Sequence, residues 1–331
     1  MAGKVAVITG ASSGIGRASA RAFAAAGYRL SLISRSSEGL EAVSREAREL
    51  GSSALTLRGD VVDPEALERL ASDTEDRFGA IDVWVNNAMV TVLSPAAQMT
   101  PEEFRRVMEV NYLGTVHGTL AALRRMLARD RGTIVQVGSA LAYRSIPLQS
   151  AYCASKAAVR AFTDSLRSEL LHDQSHVHLT MVQLPAVNTP QFDVMRNRLP
   201  RRPQPVPPIF APEMAAQAIL YAAEHPAREM VVAGSALKAI LGQKLAPGLA
   251  DRYLASSGYE AQQRAEPEEP ERADNLFEPI PGDRGAEGPF VAESRRRSVQ
   301  LWLREHPLIG AASSVAAGAT AAAWFTRRRT D

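Results

Sequence analysis

Residues Lys4–Gly16 read KVAVITGASSGIG. Lys4 to Thr9 is a short apolar run rich in β-branched residues, which reads as a buried strand of a parallel sheet. Arg17 to Ala26 is Ala-rich and reads as a helix stopped by Gly27. TGASSGIG, Thr9 to Gly16, joins the two. Gly10 permits the tight turn, Gly14 lets the backbone approach a pyrophosphate, and Gly16 lets the helix pack on the strand. The helix N-terminus adds unpaired N–H groups and a partial positive charge. A Gly-rich turn alone is a weak signal and is sometimes only a turn. The flanking strand and helix strengthen it.

The alternation continues outward. Tyr28–Ser34, Ala54–Arg58, Ile81–Val85, Thr133–Gly138, Val177–Leu184 and Glu229–Ala233 read as strands two to seven. Helices are expected over Leu40–Leu50, Pro64–Phe78 (Asp63 cap), from the Thr100-Pro101-Glu102-Glu103 start to about Arg129, over Ser150–Leu171 and over Pro212–Glu224. The expected fold class is α/β, a doubly wound, Rossmann-like parallel sheet of seven strands with helices on both faces. A C-terminal extension carrying a disordered linker and a terminal helix follows.

An acid that holds an adenosine ribose belongs about 20 residues past the turn, at the end of strand two. Ser34 and Arg35 stand there instead. A hydroxyl and a guanidinium suit a 2′-phosphate, so NADP(H) is expected over NAD(H). Arg17 is a candidate second cation. The rival for Arg35 is a solvated loop charge. Tyr152 and Lys156, in YCASK, lie one helical turn apart on one face. A cation beside a phenol lowers its pKa from about 10 and makes an acid/base usable near neutrality. A packed Tyr and an exposed Lys is the plainer alternative.

Together these residues resemble the short-chain dehydrogenase/reductase family over about residues 4–233. TGASSGIG matches its cofactor turn, and Asp60 in GDVVD matches its adenine-side acid. Asn86-Asn87-Ala88 matches NNAG except that Met89 replaces the Gly. Asn111 matches the family's helix Asn, and Ser139 stands thirteen residues before Tyr152. The resemblance implies that Tyr152 is the general acid/base and that Lys156 holds the nicotinamide ribose and lowers the Tyr pKa. It implies that Ser139 donates to the substrate oxygen and that Asn111 anchors a water feeding protons to Lys156. Cofactor contacts fall to Gly10, Ser12, Ser13, Gly14, Ile15, Gly16, Ser34, Arg35, Asp60, Val61, Asn87, Ala88, Tyr152, Lys156, Val187 and Thr189. The loop after strand six departs from the family's PGxVxT, with Leu184 and Pro185 at the Pro and Gly positions. The implied activity is hydride transfer between NADP(H) and a carbonyl or alcohol; imine reduction is a second chemistry for the fold. A non-catalytic NADP(H)-binding or membrane-tethered scaffold is the alternative. A homo-oligomer is expected by family analogy.

Composition narrows the rest. A net charge of +2 over 331 residues implies no nucleic-acid field. The one cysteine, Cys153, forbids a disulfide framework and a multi-Cys metal site, and no metal is expected. It reads as a packed helix residue rather than a reactive thiol. MAGK leads into strand one without a signal peptide, so residues 1–260 read as cytoplasmic. The domain reading is a catalytic domain over 1–235, a helical extension over 236–262, a linker over 263–298 and a terminal helix over 299–331.

Residues 190–212 are expected to form a substrate lid, PPII-like around RLPRRPQPVPP; an SH3-type ligand is the lesser reading. Phe192, Met195, Leu199, Ile209 and Phe210 are candidates for an apolar substrate pocket. Arg196, Arg198, Arg201 and Arg202 read as solvated, with contact to an acidic substrate as the lesser reading. Leu237–Tyr259 has helical spacing broken at Pro247-Gly248, and either covers the substrate side or makes a subunit contact. Ala261–Glu293 is acidic, Pro-rich and poor in large apolar residues, so it reads as mostly disordered, with Leu276-Phe277 as a short docking point. Residues 307–326 carry no charge and are long enough to span a bilayer core of about 30 Å. Their Ala-rich content leaves two outcomes open, a membrane-contacting helix or a soluble one.

Overall fold

A computed structural model describes residues 3–306. Its centre is a sheet of seven parallel strands: β1 (Val5–Thr9), β2 (Arg29–Ser34), β3 (Ala54–Arg58), β4 (Val83–Asn86), β6 (Gly132–Ser139), β7 (Val177–Leu184) and β10 (Glu229–Val231). Their order is β10-β7-β6-β4-β1-β2-β3. Chain order reverses on either side of β1, so the crevice between β1 and β4 is the place where such sheets bind ligands. The short strands β5 (Val92–Leu93), β8 (Arg196–Asn197), β9 (Arg201–Pro203) and β11 (Gln263–Pro267) pair outside the sheet.

Helices cover both faces. One core packs α1 (Gly14–Ala25), α2 (Ser37–Glu49) and α8 (Pro212–Glu224) on the sheet. The other packs α3 (Pro64–Phe78), α4 (Pro101–Met108), α5 (Gly114–Ala128) and α6 (Ser150–His172) around the fully buried Trp84. Local signals set several ends. Asp63 accepts from the Glu65 N–H at 2.9 Å, with Pro64 at the first helical position. Thr100 and Glu103 form a reciprocal capping box. The long helix expected from Thr100 is continuous, but Glu109–Leu113 widens into a π-helical turn that joins α4 to α5 and carries Asn111.

After the short α7 (Gln191–Val194) and the sheet's last strand, the extension forms α9 (Gly234–Leu245) and α10 (Pro247–Ser257). The break falls at Ala246, directly before Pro247, because a proline cannot continue the preceding helix. Residues 263–298, expected from composition to be mostly disordered, are laid along the catalytic face. β11 pairs antiparallel with β9 in the lid. Leu276 is fully buried, and Ala286 and Phe290 are buried too. Few apolar side chains suffice here because main-chain hydrogen bonds and ion pairs such as Arg196–Asp274 and Arg264–Asp193 add to the anchoring. The chain then enters α11 (Val299–Glu305), whose Leu301 joins the first core.

Among the described residues no helix is long and apolar enough to cross a membrane. The 307–326 segment lies outside the described residues.

Candidate active site

The ends of β1, β2, β3, β4, β6 and β7 open into one cavity of about 800 Å³. Every cofactor-side residue named from the sequence lines it except Gly16, and so do Ser139, Tyr152 and Lys156. Gly16 acts underneath. A Cβ there would sit 2.1 Å from the Gly10 carbonyl oxygen, so only glycine lets α1 start this close to β1. Gly10 and Gly14 adopt φ of +66° and +56°, the left-handed region that favours glycine. A Cβ on Gly14 would meet Thr189 at 3.3 Å, across the cavity mouth. Asn87 braces the turn, donating through Nδ2 to the Thr9 carbonyl at 2.9 Å.

Tyr152 lies in the first turn of α6, and Lys156 one turn on. The Lys156 Nζ sits 5.8 Å from the phenol ring centroid and donates to the Val137 carbonyl at 2.7 Å. Lys156 is 4% exposed, and burial lowers its pKa to about 8. The Tyr152 pKa moves opposite to the expectation from its neighbour. Burial of the phenol pushes it up to about 12, and the Ser139 hydroxyl only partly offsets this. The Lys156 ammonium lies over the ring and is itself buried. Ser139 ends β6 and accepts from the Leu141 N–H at 3.2 Å.

Asn111 is fully buried and does not line the cavity. Its Nδ2 donates to the Val90 carbonyl at 2.9 Å and to Ser155 Oγ at 3.0 Å, and its Oδ1 accepts from the Val90 N–H at 2.8 Å. Both amide hydrogens are used. The side chain therefore ties the loop after β4 to α6, and has no donor left for a water.

The cations are committed in ways the sequence does not announce. Arg17 is 5% exposed and paired with Glu46 and Asp283, so it does not face the cavity as a second cation. Arg35 donates to the carbonyls of Asn275 at 2.6 Å and Phe277 at 2.8 Å. Arg106 pairs with Asp60 at 2.5 Å. In the lid, Arg196 and Arg198 share the buried Glu103, Arg201 meets Glu260, and Arg202 meets Glu269. These four were read as solvated; each is ion-paired.

The substrate end is apolar. Phe192 and Met195 line it, joined by Val206, Ala239 and Leu254. None of the other three lines the cavity: Leu199 packs in the lid's own cluster, Phe210 joins the main core, and Ile209 is buried. Residues of α9 and α10, among them Ala239 and Leu254, line this end, while Leu241, Leu245 and Leu249 stay exposed. Met89 and Pro185, both departures from the family pattern, lie on the cavity wall. The residues missed from sequence are those of the C-terminal segment, Asn275, Pro279, Ile280, Gly282 and Arg284, which also line it. The Leu276-Phe277 pair was the one signal available for them.

A family model described as short chain dehydrogenase matches residues 4–199. The chain belongs to the short-chain dehydrogenase family. An uncharacterized oxidoreductase, YxnA, from Bacillus subtilis is 35% identical over 332 residues, covering 98% of this chain and 91% of that one. That match includes the C-terminal segment. Dehydrogenase/reductase SDR family member 7B from Bos taurus is 35% identical, covering 76% of this chain and 80% of its own. Among solved structures, an alcohol dehydrogenase from the archaeon Thermococcus sibiricus, complexed with 5-hydroxy-NADP, superposes with a TM-score of 0.60 at 30% identity. It covers 69% of this chain and 95% of its own. This short-chain dehydrogenase is thus an oxidoreductase of a family that uses a nicotinamide dinucleotide and small-molecule substrates.

The residues present fit such a dinucleotide. Gly10, Ser12, Ser13, Gly14 and Ile15 of the glycine turn line the cavity, with the Gly14 N–H held by the Gly285 carbonyl at 3.0 Å. Among the described residues Lys156 has one acceptor, the Val137 carbonyl, so two of its three donors are available to ribose hydroxyls.

Proposed function

We propose that this short-chain dehydrogenase is an NADP(H)-dependent carbonyl reductase or alcohol dehydrogenase acting on an apolar aldehyde, ketone or alcohol. The observation that carries the reading is that Ser139, Tyr152 and Lys156 share one cavity with the glycine turn. When bound, the nicotinamide supplies or accepts the hydride.

Tyr152 holds the proton delivered to the carbonyl oxygen in reduction and takes it back in oxidation. With its pKa pushed up to about 12, the phenol is protonated at neutral pH, the form that reduction needs. Ser139 donates to the same oxygen as negative charge develops there. Lys156 holds the ribose with its two available donors and supports the phenolate left after proton transfer. Asn111 is a positioning residue that fixes α6 against Val90. Val187 and Thr189 face the nicotinamide half, while Asp60 and Val61 face the adenine.

NADP(H) is favoured over NAD(H) because β2 ends in Ser34 and Arg35, with no carboxylate to repel a 2′-phosphate. The archaeal relative's bound 5-hydroxy-NADP supports the same choice. The Arg35 contacts to Asn275 and Phe277 use Nη1 and Nη2 and leave Nε for a phosphate oxygen. The substrate reading rests on the apolar wall of Phe192, Met195, Val206, Ala239 and Leu254.

The test is NADPH oxidation with a panel of apolar aldehydes and ketones. Wild type is expected to turn over at least one, and Tyr152→Phe to fall by a factor of about 10²–10⁴ with NADPH binding kept. Equal rates for the two proteins overturn the assignment of Tyr152.

A further inference from the structure

Residues 275–290 cross the cavity in an order that follows the proposed dinucleotide. At the adenosine end, the Asn275 and Phe277 carbonyls sit on Arg35, and the Leu276 carbonyl accepts from Arg106 Nε at 3.0 Å. At the glycine turn, the Gly285 carbonyl accepts from the Gly14 N–H at 3.0 Å, and Asp283 pairs with Arg17. At the nicotinamide side, the Phe290 N–H donates to Asn188 Oδ1 at 2.9 Å and the Gly288 N–H to the Asn188 carbonyl at 3.3 Å. The segment therefore touches the three landmarks of the site in sequence.

Its burial has a matching pattern. Leu276, Ala286 and Phe290 are buried anchors. Ala286 packs with Ala18 and Ala216, and Phe290 meets the Phe192 ring edge-on. Between the anchors, Pro279-Ile280-Pro281-Gly282 forms a Pro-stiffened arch whose Pro279, Ile280 and Gly282 line the cavity. The arch does not fill the space beneath it. About 800 Å³ remains, with the glycine turn, Asp60 and Asn87 still on its walls. A plug would have removed those residues from the walls.

Charge adds a second observation. A dinucleotide brings at least two negative charges to the glycine turn. Arg17, the nearest helix cation, is consumed by Glu46 and Asp283. Arg284 lines the cavity next to Gly285, which is bonded to that turn. Among the described residues its guanidinium has one hydrogen-bond partner, the Pro281 carbonyl at 3.2 Å. Asp283 does not oppose the phosphates, because Arg17 neutralises it.

We propose that residues 275–290 are a clasp that closes over the bound dinucleotide, and that Arg284 supplies the cation at its pyrophosphate. The inference rests on the dinucleotide reading above. Cofactor exchange then requires the arch between Leu276 and Ala286 to lift. Arg284 is a binding residue contributed from outside the matched family region, which ends at residue 199.

Limited trypsin digestion of the full chain tests it, with cleavage after the exposed Arg284 read by mass and cleavage after the exposed Arg48 as internal control. Saturating NADPH is expected to slow cleavage at Arg284 at least fivefold and leave Arg48 unchanged. Unchanged or faster cleavage at Arg284 with NADPH bound overturns the clasp. In stopped-flow measurements of nicotinamide fluorescence, Arg284→Gln is expected to release NADPH about tenfold faster, with the melting temperature of the ligand-free protein unchanged. An unchanged release rate removes Arg284 from the site. If wild type gives no nicotinamide fluorescence change at all, the cofactor reading falls and the clasp with it. Binding without protection overturns the clasp alone.

Discussion

The Arg35 guanidinium donates a 2.6 Å hydrogen bond to the main-chain carbonyl of Asn275, 240 residues further along the chain. One side chain thus serves two partners, the C-terminal segment and, in the proposed function, a 2′-phosphate.

Arg35→Asp separates those uses. The ratio of kcat/KM with NADPH to that with NADH is expected to fall at least tenfold, since a carboxylate repels a 2′-phosphate and suits a ribose hydroxyl. The melting temperature is expected to fall as well, because the carbonyl contacts are worth about 1–3 kcal/mol together. An unchanged ratio with a lowered melting temperature would leave Arg35 as a residue of the C-terminal segment only.

Lys156 sets a pH dependence of stability. Its folded pKa of about 8 lies below the free value of 10.5. Between those values the unfolded chain binds more protons, so stability rises with pH. The destabilisation is fully present below pH 8 and is gone near pH 10.5. Lys156→Met is expected to remove about 2 kcal/mol of the rise between pH 8 and pH 10, read from the two proteins' urea unfolding at those values. Parallel curves for the two proteins would mean that Lys156 is not desolvated as the fold implies.

Glu103 holds three partners at 1% exposure: the Thr100 N–H, Arg196 and Arg198. Glu103→Ala is expected to cost about 1–3 kcal/mol: it removes the buried carboxylate, while Arg196 keeps Asp274 and Arg198 stays partly exposed to solvent. Equilibrium unfolding measures it. Loss of lid order should show separately as a raised KM for apolar substrates. A change within about 0.5 kcal/mol would mean that solvent replaces the pair.

For residues 307–326, full-length protein and a chain ending at His306 are to be fractionated with lipid vesicles. The membrane reading expects only the full-length chain to sediment with them. Equal partition of both forms rejects that segment as the cause.

Most of the fold was readable because its signals are local. Asp63-Pro64 and the Thr100–Glu103 box start helices wherever they occur, and Pro247 marks the end of a helix in any context. Tyr152, Lys156 and the glycine turn were readable as types at a spacing. Their electrostatics were not: the Tyr152 phenol is pushed up by burial, which is invisible in YCASK. Asn111 was found for its identity, while its partners Val90 and Ser155 come from distant stretches. Composition points away from order in residues 263–298 because composition counts side chains. Asn275, Phe277 and Gly285 act through their carbonyl oxygens, which every residue carries. Arg196, Arg198, Arg201 and Arg202 look solvated until the chain brings Glu103, Glu260 and Glu269 to them.

The order of the elements also dictates an order of assembly. All seven central strands have been synthesised once Val231 has left the ribosome, while Leu276, Arg284 and Phe290 are still to come. N-terminal units fold first during synthesis. A chain that has emerged to that point holds every strand of the central sheet but not the segment that lies over the crevice. Residues 275–290 thus complete a cavity that the turn at Gly10–Gly16 opens.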